Sequence, residues 1–192
     1  MAALRSAGFR LLLEQGHPVD QGTWATSAGV DRSTLAEVMN RAGARGRVEL
    51  DPEGRLTGIA GLSIEPTRHR IHIEGATRWA WCALDAVGIL GALGGDGTVH
   101  STDPGTGDQI EITFRNGKPE GDATLFILDG HADVNLKETW CPMVNFFTSR
   151  HAAEEWVKDH QLDGEIVSVA GVAEDAAAMW RPVVDQNAPQ VC

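Results

Sequence analysis

Apolar residues recur at helical spacing from the start of the chain. Leu4, Phe9, Leu11, Leu12 and Leu13 predict a first helix ending at Gly16. Residues 23–28 predict a short second helix. Gly29-Val30-Asp31 reads as a turn, and Ser33 or Thr34 can cap a third helix through Ala42, with Thr34 and Glu37 spaced as a capping box. Val48–Leu50 and Leu56–Ile59 predict two strands around the turn Asp51-Pro52-Glu53-Gly54. Three helices followed by a hairpin make a winged-helix pattern over residues 1–60.

Beyond residue 60 the period shortens. Leu62–Ile64 and His69–Ile73 alternate as strands. Arg78 to Leu90 is apolar at helical spacing. Gly91–Gly97 is a glycine-rich connection without the Lys-Ser/Thr of a phosphate cradle. Further strands are predicted at 98–101, 109–114, 123–128, 143–147 and 166–169. Helices are predicted at 152–160, with Ser149 as cap, and at 172–180, fraying from Pro182. The expected class is α+β: an N-terminal winged-helix-like helical region (1–60), then a mixed β-sheet domain with flanking helices (61–192).

A chain of 192 residues can bury the core of one domain or of two small ones. No run approaches the roughly 18–20 apolar residues of a membrane span. The N-terminal apolar run is broken by Arg10 and Glu14 and has no cleavage site, so it reads as a helix and not as a signal peptide. The formal net charge of −11 repels phosphate backbones. Arg32, Arg41, Arg45 and Arg47 in the winged-helix pattern are interleaved with Asp31, Glu37 and Glu49. A structural or substrate-covering role is therefore expected there, not nucleic-acid binding. The same field disfavours small anions unless a local pocket overrides it.

The cysteines change the picture more than the charge does. There are three, Cys82, Cys141 and Cys192, with no CxxC pair, which argues for reduced thiols in the cytoplasm and against a zinc ribbon. Cys82 and Asp85 are three apart in a predicted helix, which puts them on one face, where a thiol and a carboxyl group can share a proton. Spacing alone equally allows a small buried hydrophobe and a local cap. Cys141 precedes Pro142, which favours extended backbone and a fixed position, either for a ligand or for a core thiol. Cys192 is expected to be exposed at the chain end. The seven histidines form no metal pattern.

Taken together, these residues resemble a family. Trp79-Ala-Trp-Cys-Ala-Leu-Asp85 is similar to the active-site segment of the organomercurial (alkylmercury) lyases. So is Trp140-Cys-Pro-Met-Val-Asn-Phe-Phe-Thr-Ser149, followed by Ala153-Glu-Glu-Trp156 and Ile166-Val-Ser-Val169. The similarity runs from about Gly61 to Val169, and the leading region agrees in pattern more than in letters. The resemblance implies that Cys82 and Cys141 are the catalytic thiols, that Asp85 is the catalytic carboxylate, and that 61–192 is the lyase domain. Two positions depart from the family: Pro142 stands where members often carry a second cysteine, and Asp103 where a structural cysteine is common.

That chemistry has a physical rationale. Mercury is a soft cation, for which thiolate is the preferred ligand. Carbon leaves mercury only if it is protonated as it departs, so a carboxyl group must deliver the proton. An exposed Asp is ionised at neutral pH, so Asp85 must gain its proton from a thiol or have its pKa raised in an apolar pocket. Trp81 and Trp140 are the expected pocket walls, with Trp79 and Phe146 nearby in sequence. Expected substrates are methyl- or phenylmercury thiol adducts. Hg(II) is then held by Cys82 and Cys141, with Asp85 beside it, until cellular thiols or a mercuric reductase take it. No organic cofactor is expected. The competing reading is a non-catalytic mercury sensor that joins a winged helix to a two-thiol site.

Overall fold

The structure is a computed structural model that describes residues 2–42, 46–73, 75–130 and 135–185. Arg45 and Cys192 lie outside the described residues. Helix α1 (Ala2–Gln15) buries Leu4, Phe9, Leu11 and Leu12. It ends at Gly16, which adopts the left-handed conformation (φ +67°) and lies against the Arg78 guanidinium. Helix α2 (Gln21–Ser27) is capped by Asp20, which accepts from Thr23 N at 2.9 Å. Helix α3 (Arg32–Ala42) follows. Its first-turn acceptor is Asp31, bonded to Thr34 N at 2.7 Å, and not Ser33 or Thr34 as expected. The hairpin of β1 (Val48–Leu50) and β2 (Leu56–Ile59) forms where predicted, closed by the Asp51 turn.

Strands β3 (Leu62–Ser63), β4 (His69–Ile73) and β5 (Ala76–Ala80) precede helix α4 (Ala83–Leu93). The helix expected from Arg78 thus starts later, because Arg78–Ala80 pair in the sheet with β4 and β3. It also runs into the expected glycine-rich connection and stops at Gly94, which is left-handed (φ +71°). Strands β6 (Gly97–Thr102), β7 (Gln109–Arg115), β8 (Lys118–Pro119) and β9 (Thr124–Leu128) follow. A π-helical turn (Leu136–Trp140) then runs into a 3-10 turn (Cys141–Met143). The strand expected over 143–147 shrinks to β10 (Phe146–Phe147). Helix α5 (Arg150–His160) is capped by Ser149 as predicted. Strand β11 (Gly164–Ser168) leads into α6 (Val169–Val184), which continues through Pro182 and does not fray there.

Helices and sheets coexist as expected, but among the described residues every strand pairing is antiparallel rather than mixed. Eight strands form one sheet in the order β1-β2-β3-β5-β4-β6-β7-β8, and β10-β9-β11 form a second. The hairpin of the N-terminal region is therefore the edge of the large sheet. One apolar core runs from Leu4 and Trp24 through α4 to Trp180 and Val183. Arg78 links the same regions: its guanidinium donates to Leu12 O (2.8 Å) and Leu13 O (2.5 Å), carbonyls in the last turn of α1. No described helix is long and apolar enough to cross a membrane.

Candidate active site

Cys82 is the cap of α4 and not a residue within it. Its backbone is extended (φ −142°, ψ 173°). Its Sγ accepts from Asp85 N at 3.4 Å, and its own N–H donates to Asp85 Oδ2 at 3.0 Å. This is a capping box with a thiol where Ser or Thr is usual. The sequence expectation placed Cys82 and Asp85 together by the helical repeat. They do meet, but through reciprocal capping, which leaves both groups at the open end of the helix.

Cys141 arrives from the second arm. Pro142 favoured an extended Cys141, yet its backbone is helical (φ −56°, ψ −38°) where the π turn meets the 3-10 turn. Tertiary bonds override the local preference. Asn145 Nδ2 donates to Pro142 O at 2.8 Å, and Arg68 donates to Asn145 Oδ1 at 2.6 Å. Val144 N closes the turn onto Cys141 O, and Val144 O accepts from Ala83 N at the start of α4 (both 3.1 Å). The two arms are thus stitched backbone to backbone beside the cysteines.

The result is one cluster. The ligand atoms of Cys82, Asp85 and Cys141 all lie within 4.8 Å of one another. Cys141 Sγ is 4.0 Å from Asp85 Oδ2. All three are buried, at 0%, 7% and 4% exposure, and both thiols are free. Gly61 makes room for the carboxyl: it is left-handed (φ +82°), and a Cβ there would overlap Asp85 Oδ1. Burial raises the Asp85 carboxyl from 3.8 to about 6, against the lowering effects of its bonds to Cys82 and of the Arg5 charge. Burial likewise pushes the Cys82 thiol well above its usual range, helped by Cys141 and Asp85. The positive end of α4 favours both anions, so desolvation is the larger effect here.

Trp81 and Trp140, the expected pocket walls, are each the neighbour of a site cysteine and are 8% and 6% exposed. Trp81 Nε1 donates to Glu49 Oε2 at 3.3 Å, and Trp140 Nε1 to Leu128 O at 2.9 Å. Trp79 is half-buried, and Phe146 packs edge-on against His69. Sequence reasoning missed Glu49, which also accepts from Ser63 Oγ (3.1 Å) and ion-pairs with Lys137 on the π turn. It missed Asn145, Arg68 and Gly61 as well. Of these only Gly61 left a local sign, as a glycine between two strands; the others matter through partners distant in sequence. Asp103, in place of the expected structural cysteine, is 1% exposed. Burial would raise its pKa, but Thr148 N, Gly105 N, Thr106 N and Thr148 Oγ1 all donate to it and leave it lowered. It pins the turn after β6 to the end of β10.

A family model described as MerB: Alkylmercury lyase matches residues 62–181, well over half of the chain. The alkylmercury lyase of Bacillus cereus is 30% identical over 183 residues, covering 90% of this chain and 78% of that protein. That of Staphylococcus epidermidis is 30% identical over 155 residues, covering 78% and 69%. That of Streptomyces lividans is 29% identical over 178 residues, covering 91% and 79%. Among solved structures, the mercury-bound form of MerB2 matches with a TM-score of 0.81 at 23% identity, over 96% of this chain and 100% of that one. That last likeness is one of fold.

Proposed function

This chain belongs to the alkylmercury lyase family, and we propose that Cys82, Asp85 and Cys141 are the groups that carry its reaction. The enzyme cleaves the carbon–mercury bond of organomercurials to give a hydrocarbon and Hg(II), a mercury-detoxifying reaction. The observation that carries the residue roles is the buried cluster itself, two free thiols and one carboxyl within 4.8 Å.

The steps balance without a redox partner or an organic cofactor. One site thiol exchanges with the thiol that escorts the substrate; the new sulfur–mercury bond forms and the escort leaves with the proton. The second site thiol gives its proton to the Asp85 carboxylate, and its sulfur adds to mercury. Two thiolates now push electron density onto the carbon. Asp85 returns the proton to that carbon, the carbon–mercury bonding pair becomes the new C–H bond, and the hydrocarbon departs. Hg(II) stays on Cys82 and Cys141 with an Asp85 oxygen beside it. Two external thiols, free or on a mercuric reductase, then take the metal and reprotonate the site.

Each group suits its task. A Cys82 thiol raised by burial rests protonated, so it holds the proton the reaction needs. A carboxyl at about 6 is balanced between taking that proton and giving it away near neutral pH. Trp81 and Trp140 serve as the dry wall that keeps water from the reacting carbon. We read residues 1–60 as a winged-helix-like cover on the catalytic region 61–192, a docking supported by Arg78 on the end of α1. The need for reduced thiols fits the cytoplasm. A sensor would need only the two thiols; a carboxyl poised between them favours catalysis.

The test is benzene release from phenylmercury in the presence of excess free thiol. Cys82→Ala, Asp85→Ala and Cys141→Ala should each abolish it. Full activity in any one of them removes that residue from the mechanism.

A further inference from the structure

Cys141 sits in a conformation that its own sequence disfavours. A proline restrains the residue before it to extended backbone, yet Cys141, which precedes Pro142, is helical (φ −56°, ψ −38°). Its backbone groups are both engaged: the N–H donates to Leu136 O, and the carbonyl accepts from Val144 N at 3.1 Å. Pro142 has no N–H to add to the turn. Its carbonyl is held by a side chain instead, Asn145 Nδ2 at 2.8 Å. Asn145 Oδ1 in turn accepts from Arg68 Nη1 at 2.6 Å. A guanidinium only donates and a carbonyl only accepts, so one orientation of the amide satisfies both partners. Asn145 is 1% exposed, whereas Arg68 lies at the surface. A surface charge thus braces a buried amide through a bond of the stronger, charge-assisted kind.

The residues after Cys141 are tied to the rest of the site. Val144 O accepts from Ala83 N, beside Cys82, at 3.1 Å, and Asn145 O accepts from Phe126 N on β9 at 3.0 Å. A return of Cys141 to extended backbone would change its ψ by on the order of 180°. Its thiol would then turn relative to Val144, and with it relative to Cys82 and Asp85. The cluster has little room for that. Its ligand atoms lie within 4.8 Å of one another, and two sulfurs share one ion only within about two metal–sulfur bonds, roughly 4.6 Å at the zinc–thiolate length.

We propose that Asn145, braced by Arg68, is a positioning residue for the reaction: by holding the Pro142 carbonyl it keeps Cys141 helical and its thiol aimed at Cys82 and Asp85. The proposal rests on the lyase reading above and adds to it a residue pair that acts only through Cys141. A clamp that works against a proline is needed less once the proline is gone. Asn145→Leu, close in shape and without either hydrogen bond, should lower kcat for phenylmercury by on the order of tenfold. In a Pro142→Ala background the same change should cost less than about threefold. A general loss of structure would cost the same in both backgrounds. Arg68→Ala, at an exposed position, reads the clamp from its outer end in the same two backgrounds and decides the matter should Asn145→Leu not fold. Arg68→Lys, which keeps a donor, should retain more activity than Arg68→Ala. A second arm needs no catalysis: Hg(II) is loaded and then competed with free cysteine, which strips metal held by a single sulfur. Asn145→Leu should release Hg(II) at roughly tenfold lower cysteine than the unmodified protein, because the second thiol no longer lies in place, and Pro142→Ala should restore retention. Equal costs in the two backgrounds, or Hg(II) retention that Asn145→Leu does not change, overturns the proposal. Failure of the unmodified enzyme to release benzene would instead sink the lyase reading, and the Hg(II) competition would still decide the clamp.

Discussion

Asp85 carries two opposing demands, since a buried carboxyl is costly when ionised and useless as a relay when permanently protonated. Its value of about 6 lies above the unfolded 3.8, so the folded chain binds this proton more tightly than the unfolded one. The Asp85 contribution is thus fully present below about pH 4 and is lost as pH rises through about 6. The rise from 3.8 to about 6 corresponds to on the order of 3 kcal/mol. Asp85→Asn should accordingly be more stable than the unmodified protein above pH 7 and nearly equal to it near pH 4. Paired denaturant melts across that range would show this, and a gap independent of pH would refute it. Activity should follow the same group, with kcat/KM rising through an acid limb near pH 6 as the carboxylate able to accept a thiol proton forms. Because the Arg5 charge lowers Asp85, Arg5→Gln should move that limb to higher pH. A pH–rate profile with an unmoved limb would break the link.

At the scale of elements, α4 must be held at a fixed height above the sheet, because its first turn presents Cys82 and Asp85. Packing against α6 sets that height. Gly88 lies under the Trp180 ring, where a Cβ would overlap it, and a Cβ at Gly91 would come within 2.8 Å of Ala177 Cβ. Trp180 cannot simply swing away, since its Nε1 donates to Ala60 O at 2.8 Å. Gly88→Ala gains up to about 1 kcal/mol of helix propensity. Overpacking costs roughly 1–3 kcal/mol, and a hard overlap with an anchored ring belongs at the upper end. The net effect should be destabilising by about 1–2 kcal/mol in urea unfolding; a gain in stability would show that the two helices part easily. Glu49 performs a similar service between the arms, with Trp81 and Lys137 on either side of the site. Glu49→Ala should slow phenylmercury turnover on the order of tenfold by loosening that geometry, and Glu49→Gln, which keeps an acceptor for Trp81, should slow it less. Equal kinetics for all three proteins would exclude the role.

For the whole molecule, the division near residue 60 is one of pattern and does not interrupt the core. The hairpin of the N-terminal region is the edge of the eight-stranded sheet. Arg78 in β5 satisfies the end of α1, and Trp24 Nε1 donates to Leu4 O at 2.8 Å within the shared core. Removing α1 would leave apolar surface bare on the catalytic side and strand a buried guanidinium. The chain should therefore unfold in one cooperative step, with far-ultraviolet circular dichroism and tryptophan fluorescence tracing the same denaturant curve. Two separated transitions would mean that the N-terminal region is an independent unit.

The sequence by itself determined the first helix up to Gly16, the helix at 152–160 with its Ser149 cap, the Asp51 hairpin and most strands, because periodicity and turn chemistry are local. It also determined which residues to watch, since the Trp-Cys-Ala-Leu-Asp segment and the Trp-Cys-Pro segment resemble those of a known family. It misjudged the reach of α4 and the backbone of Cys141. An apolar run reads alike as a buried strand or a helix until sheet partners choose, and Pro142 sets only a preference that Asn145 and Val144 override. Only the tertiary structure decided that 61 and 85, or 49 and 137, are neighbours. It alone set the Asp85 pKa, because desolvation depends on everything packed around a group and not on the residues beside it in the chain.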